Sequence, residues 1–563
     1  MVRHTPEFLR QRSSNMSLRM AASSPLATSR LSSFANPAEF EVKPTMTEAE
    51  KAIIVGELKT RRDVKLCDSC YRDLPDSCAD LLSLELTNDR NSCSTCAIKD
   101  TKPEAFTEPF CTFLRENPTI FHTVDYLKTK MISLGYKELP PREDWTGKIE
   151  AGGKYFSTRN GSSTIAFTVG KAYKPGNGVA IIAGHIDALT AKVKPVSKKA
   201  TTAGYVQLGV AQYAGGLNET WWDRDLSIGG RVIVRDESGK TTSKLVKLDW
   251  PIARIPTLAP HFGVGMMGQN NKETEAVPII GLDDPSSSAA EPLGSVGSFA
   301  STQPPKLVRL ISNELGIKDY SQIVNWELEL FDLQPATVGG MDKEFIFAGR
   351  IDDKLCSWAA FHGLLASDQK DDDGTIKMVA LFDDEEIGSL LRQGAKGNFL
   401  PSVIERTVES LCRQEKTFGP GVIGQTYANS FLVSADVTHA VNPNFLSRYL
   451  QDHAPRLNVG ICICADSNGH MTTDSVSTAI LTRVCELGGC TPQVFQIRND
   501  SRSGGTVGPS ISSALGVRAA DAGMPQLSMH SIRATCGSLD PGLGVKFFKA
   551  FLDKWEQVDA EWQ

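Results

Sequence analysis

The stretch Ile376-Lys-Met-Val-Ala-Leu-Phe382-Asp383-Asp384-Glu385-Glu386-Ile387-Gly388-Ser389 decides how the chain is read. Its first half is a β-like apolar run, so its four consecutive acids fall at a strand's end. Those carboxylates repel one another. Burying them unpaired costs several kcal/mol each, so either they face water as an exposed acidic loop or a cation sits among them. The surrounding chain has to decide between the two.

A second run, Val179-Ala-Ile-Ile-Ala-Gly-His185-Ile-Asp187, is continuously apolar and ends in His-x-Asp. Continuous apolar runs suit strands buried on both faces. Further strands are expected at 345–348, 431–435, 459–465 and 493–498. Helices are expected over 110–134 with an interruption near Pro118, and over 352–365, 400–412, 473–487 and 542–555, with another from Ile387. Strands alternating with helices predict an α/β fold: a three-layer catalytic domain with a mostly parallel central sheet. Residues 196–345 differ, being turn-rich with alternating strands such as Arg231–Arg235 and a Pro/Ser/Ala/Gly stretch at 284–305. They are read as an inserted β-rich domain, which leaves 103–195 and 346–563 as the catalytic domain.

The 563 residues suffice for two or more domains. With 41% hydrophobic and 22% charged residues, the composition is that of a globular protein. A net charge of −6 gives no basic field for nucleic acid, and no apolar run is long enough for a membrane span. Thirteen cysteines, several in core-like strands (Cys462, Cys464), suggest buried thiols in a reducing compartment.

Residues 1–102 stand apart as a propeptide-like extension. Between Met1 and Ala38 there are five arginines and one acid, Glu7, and the composition of residues 1–45 fits a transit peptide and a disordered tail equally. Thr47 and Glu50 have capping-box spacing for a short helix over 47–62. Cys67, Cys70, Cys93 and Cys96 form two CxxC pairs. These suit either a structural zinc site or free thiols in a mobile insert.

In α/β sheets, functional groups gather outside strand ends. His185 and Asp187, Asp383 to Glu386, and Asp436 with His439 all follow expected strands, and Asp352 and Asp353 open a helix after the 345–348 strand. His530 lies near the C-terminus. A mixed imidazole and carboxylate set suits zinc or manganese and disfavours an all-oxygen calcium site. The surplus of acids points to two ions sharing a bridging carboxylate. An adjacent Glu-Glu pair suits one metal ligand and one free general base. Singly, each residue has a plainer reading: a core histidine, a helix cap, a strand-end turn. Gly263-Val-Gly-Met-Met-Gly268 has no strand before it or helix after it, so it is not a nucleotide-binding fingerprint.

The order His185-x-Asp187, Arg350-Ile-Asp352-Asp353, Asp383-Asp-Glu385-Glu386-Ile-Gly-Ser, Ser434-Ala-Asp436-Val-Thr-His439 and Met529-His530-Ser-Ile-Arg resembles the aspartyl aminopeptidase family of dinuclear zinc metallopeptidases. Shared segments include Gly216-Leu-Asn-Glu-Thr-Trp221, Ile255-Pro-Thr-Leu-Ala-Pro-His261, Asp466-Ser-Asn468-Gly469-His470-Met and Ser501-Arg-Ser-Gly-Gly-Thr-Val-Gly-Pro509. The resemblance covers about residues 105–560 and is strongest to the fungal vacuolar members. It implies that Asp352 bridges two zinc ions, that His185 and Asp436 complete one site, and that Glu386 and His530 complete the other. It further implies Glu385 as general base, Asp187 as the group that fixes His185, and His439 as a contact to substrate. Asn468, Gly469 and His470 would line the substrate site, and His261 would reach a neighbouring subunit's active site. Tetrahedral dodecamers, with the inserted domain serving oligomerisation, peptide substrates and an autophagy-type receptor for the N-terminal segment follow from the same resemblance. So does delivery from cytoplasm to vacuole, with cytoplasmic and mitochondrial locations as alternatives. Acid-selective animal members carry lysine where Asn468 stands, so a preference for neutral, leucine-like N-terminal residues is expected.

Overall fold

The computed structural model describes residues 101–262, 270–283, 293–415, 419 and 421–562. The expected 47–62 helix, the two CxxC pairs, the Gly263–Gly268 run and the first part of the 284–305 stretch, residues 284–292, lie outside these residues.

The central sheet has nine strands. Their order is Lys137–Glu138, Lys154–Arg159, Ser163–Val169, Ile376–Phe382, Val179–His185, Phe431–Ser434, Arg518–Gly523, Cys462–Ala465, Gln493–Gln496. Five of the eight strand pairings are parallel and three antiparallel. The sheet is therefore mixed, with a parallel centre. Side chains alternate between faces because successive strand residues point to opposite sides. Ala180 and Ile182 join one core with Val379, Leu381 and Phe431. Helices Thr107–Glu116, Ile120–Ser133, Ile351–Ala366, Ser475–Gly488 and Asp540–Ala560 cover that face. Val179, Ile181 and Ala183 join the other with Met378, Ala380 and Leu432, under helices Phe399–Glu415 and Gly508–Leu515. Each fully buried aliphatic contributes about 1.5–3 kcal/mol, which holds three layers together without cross-links. Cys462 and Cys464 are buried in that sheet as free thiols.

A second, antiparallel six-stranded sheet comprises Thr241–Lys247, Leu226–Arg235, Ile323–Asp332, Thr190–Lys198, Tyr205–Tyr213 and Ile279–Leu282. It packs its own core of Leu226, Ile228, Val232, Trp326 and Leu328 against helix Pro305–Glu314. The sheet starts at Thr190, ahead of the expected boundary at 196, and its last strand ends at Asp332, ahead of 345. The Thr190–Lys198 strand mixes buried and exposed positions, and one of its two partners, Ile323–Asp332, lies over a hundred residues away, so local patterning did not assign it.

One expected helix is absent. From Ile387 the chain makes one 3-10 turn, Glu385–Ile387, and then irregular turns as far as helix Phe399–Glu415. Gly388 at φ 96 and Ser389 at φ 58 break the helical path, and Gly394 and Gly397 pack against neighbouring backbone. The 459–465 strand also proves shorter, beginning at Cys462.

Candidate active site

Register gathers the candidate residues. Phe382 pairs with His185, and Ser434 pairs with Ala183 and Asp521. The C-terminal ends of three adjacent parallel strands thus release Asp383–Glu386, His185–Asp187 and Asp436 at one edge. Gly523 makes this closeness feasible: a Cβ there would fall 1.4 Å from the Asp436 carbonyl oxygen. Gly184 likewise lies where a Cβ would meet the Ala435 carbonyl at 2.8 Å.

Asp352 sits at the centre. Its Oδ1 is 3.3 Å from His185 Nε2, and its Oδ2 is 3.5 Å from His530 Nε2. Asp436 Oδ1 is 3.7 Å from His185 Nε2, Glu386 Oε2 is 3.7 Å from His530 Nε2, and Glu385 Oε2 is 3.9 Å from His185 Nε2. Donors about 2.1 Å from a tetrahedral zinc sit roughly 3.4 Å apart, so these spacings are those of ligands around an ion. The donor atoms of His185, Glu385 and Asp436 lie within 4.8 Å of one another, as do those of His185, Asp352 and Glu386. Glu386 Oε1 is buried without a hydrogen-bond partner, an arrangement a cation relieves.

Charge makes the same point. Burial, with Asp436, Asp187 and Asp352 adding to it against His185, pushes the Glu385 carboxyl up to about 8. Burial and then Asp352 push Glu386 up to about 10. Burial also lifts Asp436 to about 6, although His185 opposes it. For His185, burial alone disfavours the charged ring, but hydrogen bonds to Asp187, Asp352 and Asp436 prevail and raise it well above the ordinary value. The site holds more negative charge than its own side chains balance.

Asp187 is a hub. Its Oδ1 faces His185 Nδ1 at 3.1 Å and accepts from the Glu385 N–H at 3.2 Å. Its Oδ2 accepts from the Glu386 N–H at 3.2 Å and the Tyr213 hydroxyl at 2.7 Å. With Nδ1–H directed at Asp187, His185 presents Nε2 to the cluster. Tyr213 was not singled out in the sequence. It ends a strand of the inserted sheet, is buried, and lies with its ring 4.0 Å from Lys192 Nζ. Only its place three residues before the Gly216–Trp221 segment hinted at a role.

His530 follows no strand of the central sheet. It has φ 64 and a side chain 56% exposed. Arg533 anchors the same loop by donating to the carbonyls of Gln334 (2.7 Å), Pro335 (3.1 Å) and Phe347 (2.8 Å). His439 is exposed on a short strand paired with Pro525–Gln526, and Asp352 and His530 are among the groups that influence its ring. His261 is exposed in a turn, Pro260–Phe262, stacked on Phe262, and is not part of the cluster among the described residues. Asn468 and His470 line a separate polar hollow of about 610 Å³ beyond the neighbouring strands, with Arg498 and Arg502. Asp466 orders its rim by accepting from the Asn468 N–H at 2.8 Å and pairing with His470 at 2.8 Å. Gly469, at φ 78, turns the chain between them.

Imidazoles and carboxylates converging at parallel strand ends define a metal-dependent hydrolase. Residues 113–552 match the Aminopeptidase I zinc metalloprotease (M18) family, and the chain belongs to it. Vacuolar aminopeptidase 1 of Saccharomyces cerevisiae is 42% identical over 468 residues, covering 81% of this chain and 90% of that protein. Aspartyl aminopeptidase 4 of the same yeast is 39% identical over 473 residues, covering 81% and 96%. Among solved structures, Chaetomium thermophilum mApe1 is 66% identical with a TM-score of 0.77, covering 82% of this chain and all of that one. The S. cerevisiae mApe1 dodecamer is 39% identical with a TM-score of 0.72, covering 82% and 99%.

Proposed function

We propose that the chain is an aminopeptidase with two zinc ions per subunit, removing neutral, leucine-like residues from peptide N-termini. The observation that carries this reading is Asp352, with one carboxylate oxygen toward each of two histidines. His185, Asp352 and Asp436 would hold one ion; Asp352, Glu386 and His530 would hold the other. Bound zinc supplies Lewis acidity toward the scissile carbonyl and lowers the pKa of water toward ~7.

Glu385 is the remaining carboxylate and the farthest of the four from an imidazole nitrogen. In this reading its carboxylate takes a proton from the attacking water and passes it to the departing amine as the C–N bond breaks. Asp187 keeps the Glu385–Glu386 turn and His185 in place. An acid of the cluster pairs with the substrate's free α-amino group, which confines cleavage to the first residue. His439 contacts the substrate. His261 acts in a neighbouring subunit of a dodecamer, a reading supported by the assembly named for the S. cerevisiae mApe1 structure.

Asn468 supplies no cation for an acidic side chain, which supports the neutral preference. Arg502 in the same hollow favours the alternative, an acid-selective enzyme. Rates on leucine and aspartate anilides separate the two, since a faster rate on aspartate sinks the first. Release of a single residue from a tripeptide distinguishes an aminopeptidase from a dipeptidase or deacylase. Glu385→Gln is expected to lower kcat by about 10²–10⁴ with zinc content unchanged; full activity in that variant contradicts the assignment. We further propose delivery from cytoplasm to vacuole through a receptor that binds residues 1–102, where the protein's role as assembled cargo accompanies its catalysis. Unchanged vacuolar imaging of a chain lacking residues 1–100 refutes this and leaves the cytoplasm or mitochondria.

A further inference from the structure

The His530 turn is tied to the inserted domain by a short relay. Asn218 Nδ2 donates to the His530 carbonyl oxygen at 2.9 Å and to the Gly215 carbonyl at 3.1 Å. The Ile532 N–H donates to Thr220 Oγ1 at 2.9 Å. Asn218 Oδ1 accepts from both the N–H and the hydroxyl of Thr220, at 3.0 Å and 2.6 Å. Two side chains three hundred residues away in sequence therefore grip the backbone just after His530 Cα, at its own carbonyl and at the Ile532 N–H. That residue holds a left-handed backbone conformation, which a non-glycine residue keeps only where its surroundings fix it.

We propose that Asn218 and Thr220 are positioning residues for the metal centre. By fixing the His530 turn, they make the inserted domain's placement a determinant of zinc retention at the half-site of His530 and Glu386. The inference deepens the reading above and rests on His530 being a zinc ligand. Neither residue belongs to the cluster of metal-ligating side chains. Groups that orient metal ligands from behind are commonly worth 10- to 100-fold in metal affinity.

The test is zinc bound per subunit in the full-length enzyme, measured across a series of chelator-buffered free zinc concentrations. Thr220→Val and Asn218→Ala are expected to weaken one of the two zinc ions about tenfold or more, while Thr220→Ser, which keeps the hydroxyl, matches the native enzyme. His530→Ala is expected to lose that same ion. Native mass and melting temperature check that each variant assembles. If His530→Ala loses an ion while Thr220→Val and Asn218→Ala bind both as tightly as the native chain, the positioning role is overturned and the ligand assignment stands. If Thr220→Ser is as weak as Thr220→Val, packing rather than the hydroxyl bond is responsible, and the proposal is overturned. If His530→Ala keeps both ions, the ligand assignment falls and the inference falls with it.

Discussion

His185 and His530 flank the same carboxylate but reach it in opposite ways. His185 ends a central strand, is 1% exposed, and is held through Nδ1 by a buried aspartate. His530 lies on a turn, is more than half exposed, and is held through its backbone by the inserted domain. One half-site is built into the sheet and its core. The other takes its imidazole from an exposed turn that loop contacts hold in place. The sheet half should therefore be coupled to folding, and the loop half to domain placement.

The sharpest way to break this contrast is a pair of alanine variants. His185→Ala removes a fully buried ring and leaves Asp187 buried without its imidazole partner, a change expected to cost about 3 kcal/mol and to appear as a lower melting temperature with loss of zinc. His530→Ala is expected to stay within about 0.5 kcal/mol of the native stability. Equal melting temperatures for the two metal-free variants would erase the distinction. Next in size is Tyr213→Phe, which strips one donor from Asp187 and is expected to cost about 1–2 kcal/mol. Denaturant unfolding reads that cost, and a decline in kcat with zinc content held shows whether the Asp187 hub sets the Glu385 turn. The smallest expected effect is at the hollow's rim. Asn468→Lys adds one exposed cation, worth up to about 1 kcal/mol, and so should shift the ratio of leucine to aspartate cleavage by no more than about fivefold. A ratio that does not move toward aspartate would place the side-chain pocket elsewhere.

The same contrast explains what the sequence made legible. Ile376–Phe382 and Val179–His185 were readable as strands because both faces are buried and the runs are uninterrupted. Their ends then located Asp383–Glu386, His185 and Asp187 from patterning alone. His530 has no such frame: no strand of the central sheet leads into it, and its role as a ligand came from the resemblance of Met529-His530-Ser-Ile-Arg to a known family. Tyr213, Asn218 and Thr220 act through single hydrogen bonds to residues 26 to 312 positions away, and no local period encodes such a bond. The missing helix after Ile387 shows the converse. Its apolar residues looked helical, but Gly388, Gly394 and Gly397 bend the chain around the acidic turn instead.

The central claim is that Asp352 serves two zinc ions at once. Counting zinc in the purified native enzyme and in Asp352→Ala tests it most directly. The account predicts about two ions per native subunit and loss of both in the variant. A native enzyme saturating at one ion, or a variant that keeps two, contradicts it.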